Sequence, residues 1–304
     1  MTVRMQQSRT YLGVFLAIAG ALMWGIQGPV SQFLYQDHSF STEWLMGVKM
    51  LVSGVLILLF VRFGQRQPIL AIWNRSNWLS LVLYALLGLT GVQYFFLLTV
   101  RASNPATATI MQSLGTVMIV ILTALIYHQL PSRPEASAVL VALIGTWLLV
   151  TKGDLTQLAI SPTAFGLGLT VALAGALQTM LPVRLIQHNN TLVVVGWAML
   201  IGGVIFSLIH PVWVNPPHLS VGVVLGVGFI VIFGTMLAFI CFISSLQYIS
   251  PTTAGLLDTF EPLSATLGTV VCFNTSFNGS EVLGGLLILS TVFILAIPTR
   301  KRPS

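Results

Sequence analysis

A chain of 304 residues that is 56% hydrophobic and only 7% charged, with a mean hydropathy of +0.93, has too little polar surface for a soluble domain, in which about 25% of residues carry charge. The net charge of +6 is scattered between apolar runs and forms no basic stripe, which excludes a nucleic-acid footprint and leaves the lipid bilayer as the chain's solvent. The two cysteines, Cys241 and Cys272, lie in apolar runs without disulfide or metal-ligand spacing, so no cofactor is expected.

Spans of roughly 20 apolar residues fall near 11–34, 43–62, 78–100, 105–127, 134–151, 162–183, 191–213, 219–248, 252–273 and 281–298. The first follows a basic start, as a signal peptide would. The run from Tyr11 to Leu34 is nevertheless longer than a signal-peptide core and lacks a small-residue cleavage site, so it reads as a membrane helix. Turn residues separate the later spans, among them Pro131-Ser-Arg-Pro134, Lys152-Gly-Asp154, His188-Asn-Asn190 and Asn215-Pro-Pro217. An even number of spans puts both termini on one side. Cytoplasmic termini place Arg4, Arg9, Arg62, Arg66, Arg75, Arg133, Arg184, Arg300, Lys301 and Arg302 inside, against Arg101 and Lys152 outside. The positive-inside rule therefore predicts cytoplasmic termini for a multi-pass protein of the inner membrane.

Sliding the chain on itself by 146 residues brings Pro105 onto Pro251, Thr107 onto Thr253, Ala108 onto Ala254 and Glu135 onto Glu281 without a gap. The same shift pairs Gly88 with Gly234 and Phe96 with Phe242, while a slightly different one matches Ala19-Gly-Ala-Leu22 to Ala174-Gly-Ala-Leu177 and brings Trp44 near Trp197. Five spans per copy is an odd number, so the second copy enters the membrane the opposite way up. The expected fold is an all-α integral membrane protein of ten transmembrane helices in two inverted repeats, residues 1–151 and 162–304, joined by a linker at 152–161. Transporters of this build place their site near the midplane between the halves.

Several motifs carry a family likeness: Ala21-Leu-Met-Trp-Gly25, Trp44-Leu-Met-Gly-Val-Lys49, Asn104-Pro-Ala-Thr-Ala-Thr109, and above all Ser250-Pro-Thr-Thr-Ala-Gly-Leu-Leu-Asp-Thr-Phe-Glu-Pro262, followed by Gly284-Gly285. Through them the chain resembles EamA-type permeases of the drug/metabolite transporter superfamily over nearly its whole length. The resemblance implies a carrier for a small metabolite, often an amino acid or drug exporter, with a cavity walled by both repeats. Three positions depart from the family pattern. Lys49 stands where arginine is usual, Thr116 stands where proline is usual, and an acid common near the end of the fourth helix is replaced around His128.

Charges inside a span usually face a cavity or a partner. Asp258 and Glu261 lie one helical turn apart on one face, just before Pro262. Two acids so close in poor solvent cannot both ionise cheaply, so one is expected to hold a proton, which would suit proton-coupled exchange. A structural pairing of Glu261, with Asp258 accepting hydrogen bonds, fits the sequence as well. Lys49 lies about 10 Å into its span and could snorkel outward, pair with Glu261 or Asp258, or meet a substrate carboxylate. Asp258, Glu261, Pro262 and Lys49 are therefore the candidates for coupling or gating.

Gln27, Gln93, Gln112, Ser113 and Gln178 are mid-span polar residues, with Trp24, Tyr94 and Trp197 as aromatic neighbours. The candidate cavity lining taken from them is Trp24, Gln27, Gln93, Tyr94, Gln112 and Gln178, although amides in membranes often only join helices. Gly28-Pro29 is expected to interrupt the first span, whereas Pro182 and Pro262 lie inside theirs, where a proline kink can serve as a hinge or as static packing. His38, His128, His188, His210 and His218 all sit near span ends without metal-ligand spacing. With no Walker loop, energy would come from an ion or solute gradient. An intramembrane enzyme would need a catalytic set, and neither a His-Glu-x-x-His run nor a Gly-x-Ser-x-Gly elbow occurs; a channel would need filter loops or rings of charge. The partners expected are a small-molecule substrate, the bilayer and, through the acids, protons. A monomer already holds both repeats and suffices for transport, and a dimer is equally compatible.

Overall fold

A computed structural model describes residues 2–36, 40–128, 131–154, 160–218 and 220–296. His38, the basic cluster Arg300, Lys301 and Arg302, and the middle of the 152–161 linker lie outside the described residues. The described residues form helices and their connecting turns, one of the two ways a chain satisfies its backbone N–H and C=O groups where no water can bond them. Ten helices follow in order: α1 (Thr2–Tyr35), α2 (Thr42–Gly64), α3 (Trp78–Ala102), α4 (Pro105–Ile126), α5 (Arg133–Thr151), α6 (Pro162–His188), α7 (Thr191–Ile209), α8 (Val221–Ser245), α9 (Thr253–Phe273) and α10 (Gly279–Leu295). Nine are long and apolar enough to cross a bilayer; the tenth has 17 residues, the lower end of a spanning length.

The 146-residue repeat is visible in the local chemistry. Asn104 caps α4 by accepting from the Thr107 N–H at 2.9 Å, and Ser250 caps the turn leading into α9 by accepting from the Thr253 N–H at 3.1 Å. The helices preceding α5 and α10 both end on a left-handed residue, His128 and Asn274, each at φ 51°. Next come reciprocal caps, in which Glu135 accepts from the Ser132 N–H at 2.6 Å and Glu281 accepts from the Asn278 N–H at 2.9 Å. A π-helical turn interrupts α3 at Tyr84–Thr90 and α8 at Ile232–Leu237. The caps and left-handed ends fall in the 146-residue register, and the two π-turns overlap under the same shift.

Packing follows the same two-fold logic. α2 lies along its mate α7, and α5 along its mate α10; α1 packs on α8 and α9, as α6 packs on α3 and α4. Two indoles tie the halves reciprocally. Trp44 of α2 donates to the Val212 carbonyl beyond α7 at 2.9 Å, and Trp197 of α7 donates to the Ile69 carbonyl beyond α2 at 2.7 Å.

The sequence expectation that Gly28-Pro29 interrupts the first span is wrong: α1 continues through Pro29. Proline removes one N–H and crowds one carbonyl, a loss that α1 absorbs within its 34 residues. Pro182 does break α6, which resumes at Val183. Trp197, expected beside the cavity, instead belongs to the clasp on Ile69 and meets Trp73 edge-on at 5.1 Å.

Where α2 and α7 cross, small residues let the backbones approach closely. A methyl group added at Gly203 would lie 2.6 Å from the Leu51 amide nitrogen, whereas one at Gly166 would meet nothing within 4 Å. Gly203→Ala should therefore cost about 1–3 kcal/mol by overpacking, while Gly166→Ala should be neutral or slightly stabilising. Thermal melts of the two purified variants in detergent check this; equal melting temperatures would refute the close α2–α7 crossing.

Candidate functional site

Pro262 has no N–H to return to the Asp258 carbonyl four residues back. The Glu261 N–H takes that carbonyl instead, at 2.9 Å, and the Thr259 hydroxyl donates to the Leu256 carbonyl at 2.7 Å. The ladder of α9 is thus broken between Leu257 and Phe260, at the two acids. α4 breaks at the corresponding place, Leu114, without any proline. There the Leu114 N–H turns back to the Met111 carbonyl at 3.1 Å, and the Thr116 hydroxyl donates to the Ser113 carbonyl at 2.9 Å. Thr116 thereby sits in a break that its mate Pro262 enforces by lacking a donor.

The two breaks face each other across a cavity between the halves. Its larger chamber, about 240 Å³, is lined by Ser113 and Thr116 of α4, Thr179 of α6, Asp258 and Pro262 of α9 and Val292 of α10. These are middle-to-late residues of α4, α6 and α10 and early residues of α9, so in the alternating bundle this chamber lies toward the end at which α1 begins. A smaller chamber of about 100 Å³ lies against Trp24, Gln27, Gln93 and Phe239. Val92, Gln112, Gln178, Asp258 and Glu261 line both chambers, which therefore adjoin along a shared wall. At the opposite end α1 closes the bundle. A methyl at Gly28 would lie 2.7 Å from the Pro105 Cβ, and one at Gly268 would lie 2.6 Å from the Pro29 Cγ.

Of the six residues expected to line a cavity, Trp24, Gln27, Gln93, Gln112 and Gln178 do so, and Tyr94 does not. The Tyr94 hydroxyl donates to Glu43 Oε1 at 2.9 Å, and its ring packs on Phe206 at 4.8 Å. Glu43, which also accepts from the Ser41 hydroxyl at 2.8 Å, was missed by sequence reasoning; its only signal is its place as the acid in the first turn of α2. Trp24 packs on Phe239 at 4.8 Å and on Phe242 at 5.1 Å, leaving its indole N–H without a partner among the described residues. Asp258 Oδ1 and Gln178 Oε1 are likewise buried and unpartnered. Glu261, 8% exposed, accepts from the Gln112 amide at 3.2 Å, so the repeat mate of Asp258 supplies the hydrogen bond to its neighbour.

Lys49 does not snorkel, and among the described residues it pairs with no acid. It is 0% exposed, and its Nζ donates to Gln93 Oε1 at 2.5 Å. Oriented to satisfy its neighbours, the Gln27 amide accepts from Lys49 Nζ at 3.2 Å and donates to the Gly234 carbonyl at 2.6 Å. The neighbouring helices enclose the whole side chain, so its four-carbon stem never reaches the interface. Gln27 and Gln93 both line the smaller chamber, so the ammonium stands one amide behind its wall. Among the described residues no group of His, Cys, Asp and Glu is placed to hold a metal.

Comparison with known proteins gives a consistent picture. The model of the EamA-like transporter family matches twice, at residues 11–151 and 163–297. The uncharacterized inner membrane transporter YicL of Salmonella typhimurium is 34% identical over 293 residues, covering 96% of this chain and 98% of its own. The uncharacterized transporter YwfM of Bacillus subtilis is 25% identical, covering 95% of each chain. One solved crystal structure superposes with a TM-score of 0.60 over 95% of this chain and 96% of its own, at 19% identity, a likeness of fold alone.

The break in α9 has a measurable consequence. Pro262→Ala supplies an N–H for the Asp258 carbonyl and should raise hydrogen-exchange protection across residues 258–262 by about tenfold, the equivalent of one added hydrogen bond. Pro262→Thr should keep the segment open, as Thr116 does in α4. Equal protection in Pro262→Ala and the parent protein would show that something other than the missing donor holds the break.

Proposed function

Since the chain belongs to the EamA-like transporter family, we propose that it is a secondary transporter moving a small organic metabolite, an amino acid or related compound or a drug, across the cytoplasmic membrane by alternating access. The direction we assign is export, and the coupling ion a proton. The observation that carries this reading is the acid turn. Asp258 and Glu261 face a cavity between the two halves, with the neutral amide of Gln112 as the hydrogen-bond partner of Glu261 and, among the described residues, none for Asp258 Oδ1. An acid that is structural in a membrane interior is ordinarily paired. Acids kept without a counter-charge at a cavity wall are suited to accept a proton or a cationic group in turn.

The roles assigned follow from position. Trp24, Gln27, Gln93, Gln112 and Gln178 form the solute cavity, Asp258 and Glu261 exchange the proton, and Pro262 keeps their helix open. Lys49 acts in gating, from behind the cavity wall. The working units are the repeats 1–151 and 162–304 joined by 152–161, with both termini cytoplasmic by the distribution of arginine and lysine. The larger chamber then faces the cytoplasm, where an exporter loads. The activity is carriage of an unchanged solute rather than catalysis, and one chain is enough to perform it.

Comparing the metabolites of cells lacking and overproducing the protein would name the solute. Purified protein in liposomes should then show saturable flux of that solute, accelerated when the solute and protons are driven in opposite directions. Asp258→Asn combined with Glu261→Gln should abolish the response to the proton gradient. Flux that still follows the gradient in the double variant would refute proton coupling through these acids, and absence of saturable flux in the parent protein would refute the carrier reading.

A further inference from the structure

The polar atoms around the smaller chamber are unevenly provided for. Trp24 holds an indole N–H, Asp258 an Oδ1 and Gln178 an Oε1, all three buried and without a partner among the described residues. A buried polar atom left unbonded is costly. Three of them around one cavity point to a ligand that supplies the missing partners. Such a ligand must accept from Trp24 and donate to Asp258 and Gln178.

Charge narrows the choice. Asp258 and Glu261 line the chamber, and among the described residues no lysine, arginine or histidine does. Lys49 is fully enclosed and gives its N–H groups to Gln93 Oε1 and, at 3.2 Å, to the Gln27 amide oxygen. With its oxygen held from behind, Gln93 has only its amide nitrogen to offer the chamber, a second neutral donor besides the Trp24 indole. An ammonium brought to the acids gains a charge-assisted bond. A carboxylate at Trp24 and Gln93 would be buried against neutral donors alone, in the same small chamber as two acids, which is costly. Val92, Phe96 and Phe239 complete the wall with apolar surface.

We infer that this chamber selects a primary ammonium compound whose ammonium-bearing carbon also carries an uncharged carbonyl, as in an α-amino amide or ester. Asp258 binds the ammonium, Gln178 takes a second N–H, and the carbonyl oxygen accepts from Trp24 and Gln93. An apolar substituent lies against Val92, Phe96 and Phe239. A free amino acid fits less well, because its carboxylate adds a negative charge where the wall already holds two acids and exposes no cation. The inference rests on the carrier reading and narrows its solute to one chemical class.

Probes that share one isobutyl side chain separate these features. Leucinamide carries the ammonium and the neutral carbonyl, leucine carries a carboxylate instead, isopentylamine lacks the carbonyl, and isocaproamide lacks the ammonium. Affinities follow from the rise in melting temperature of the purified full chain with probe concentration. Leucinamide should bind tightest, and each of the others about tenfold more weakly. Trp24→Phe keeps the ring packing on Phe239 and Phe242 and removes the N–H. It should weaken leucinamide about fivefold and leave isopentylamine unchanged. Asp258→Asn should weaken both of these amines and leave isocaproamide unchanged, a second check should Trp24→Phe fail to fold. Leucine or isopentylamine binding as tightly as leucinamide, or no binding of any probe, overturns the inference. Saturable flux of another solute by the same preparation would then leave the carrier reading standing. Leucinamide binding without leucinamide flux in liposomes would instead sink the carrier reading and keep the site.

Discussion

Pro262 cannot donate a backbone hydrogen bond, and the geometry of the site descends from that one deficiency. The Asp258 carbonyl is claimed by the Glu261 N–H, the helix loses its ladder for a turn, and both acids are held at the break rather than on a regular helical stripe. An unbroken helix would stack Glu261 directly above Asp258 on one face and satisfy every backbone group internally, leaving the side chains as its only polar surface. The break instead adds backbone polarity to the cavity wall, where irregular backbone is tolerated at membrane depth because it faces a cavity rather than lipid.

The repeat is more faithful in its backbone chemistry than in its charges. Caps, left-handed helix ends, reciprocal glutamate caps and π-turns recur in register, because each answers a demand that any helix end or close crossing makes wherever it occurs. The acids do not recur: Asp258 and Glu261 have Gln112 and Gly115 as mates. Duplication thus supplies a nearly symmetric backbone scaffold, on which only one half carries the acids. Gln112 lies at the join between these two layers. As the mate of one acid it binds the other, across the axis, with a neutral donor that leaves the acid's charge state to the cavity.

Much of this was legible in the sequence, and for identifiable reasons. Span positions follow from the cost of burying polar groups in lipid, which hydropathy reports directly. The repeat register was readable at Pro105 and Pro251, Gly88 and Gly234, and Glu135 and Glu281 because proline, glycine and capping acids are tied to backbone roles. What failed were facings. Tyr94 turns to Glu43, Trp197 to Ile69 and Lys49 to Gln93, partners 51, 128 and 44 residues away. A helix that is apolar on every side carries no amphipathic stripe to say which face meets the cavity. Neighbouring residues such as Gln93 and Tyr94, some 100° apart around a helix, are then indistinguishable until their partners are known.

Lys49 shows most sharply why composition could flag a residue without assigning it. A membrane-buried ammonium was expected to find water or a carboxylate, and it finds two amide oxygens, with no acid in ion-pair reach among the described residues. Neutral acceptors compensate the desolvation of a charge less fully than a carboxylate. The arrangement is therefore less settled than an ion pair would be, and it draws both glutamine amides toward the ammonium. That is the useful property. An ion pair with Glu261 would lock α2 to α9 and remove both charges from the cavity at once. Holding the lysine through Gln27 and Gln93 instead keeps its ammonium one amide behind the cavity wall and joins it, through Gln27, to the π-turn of α8.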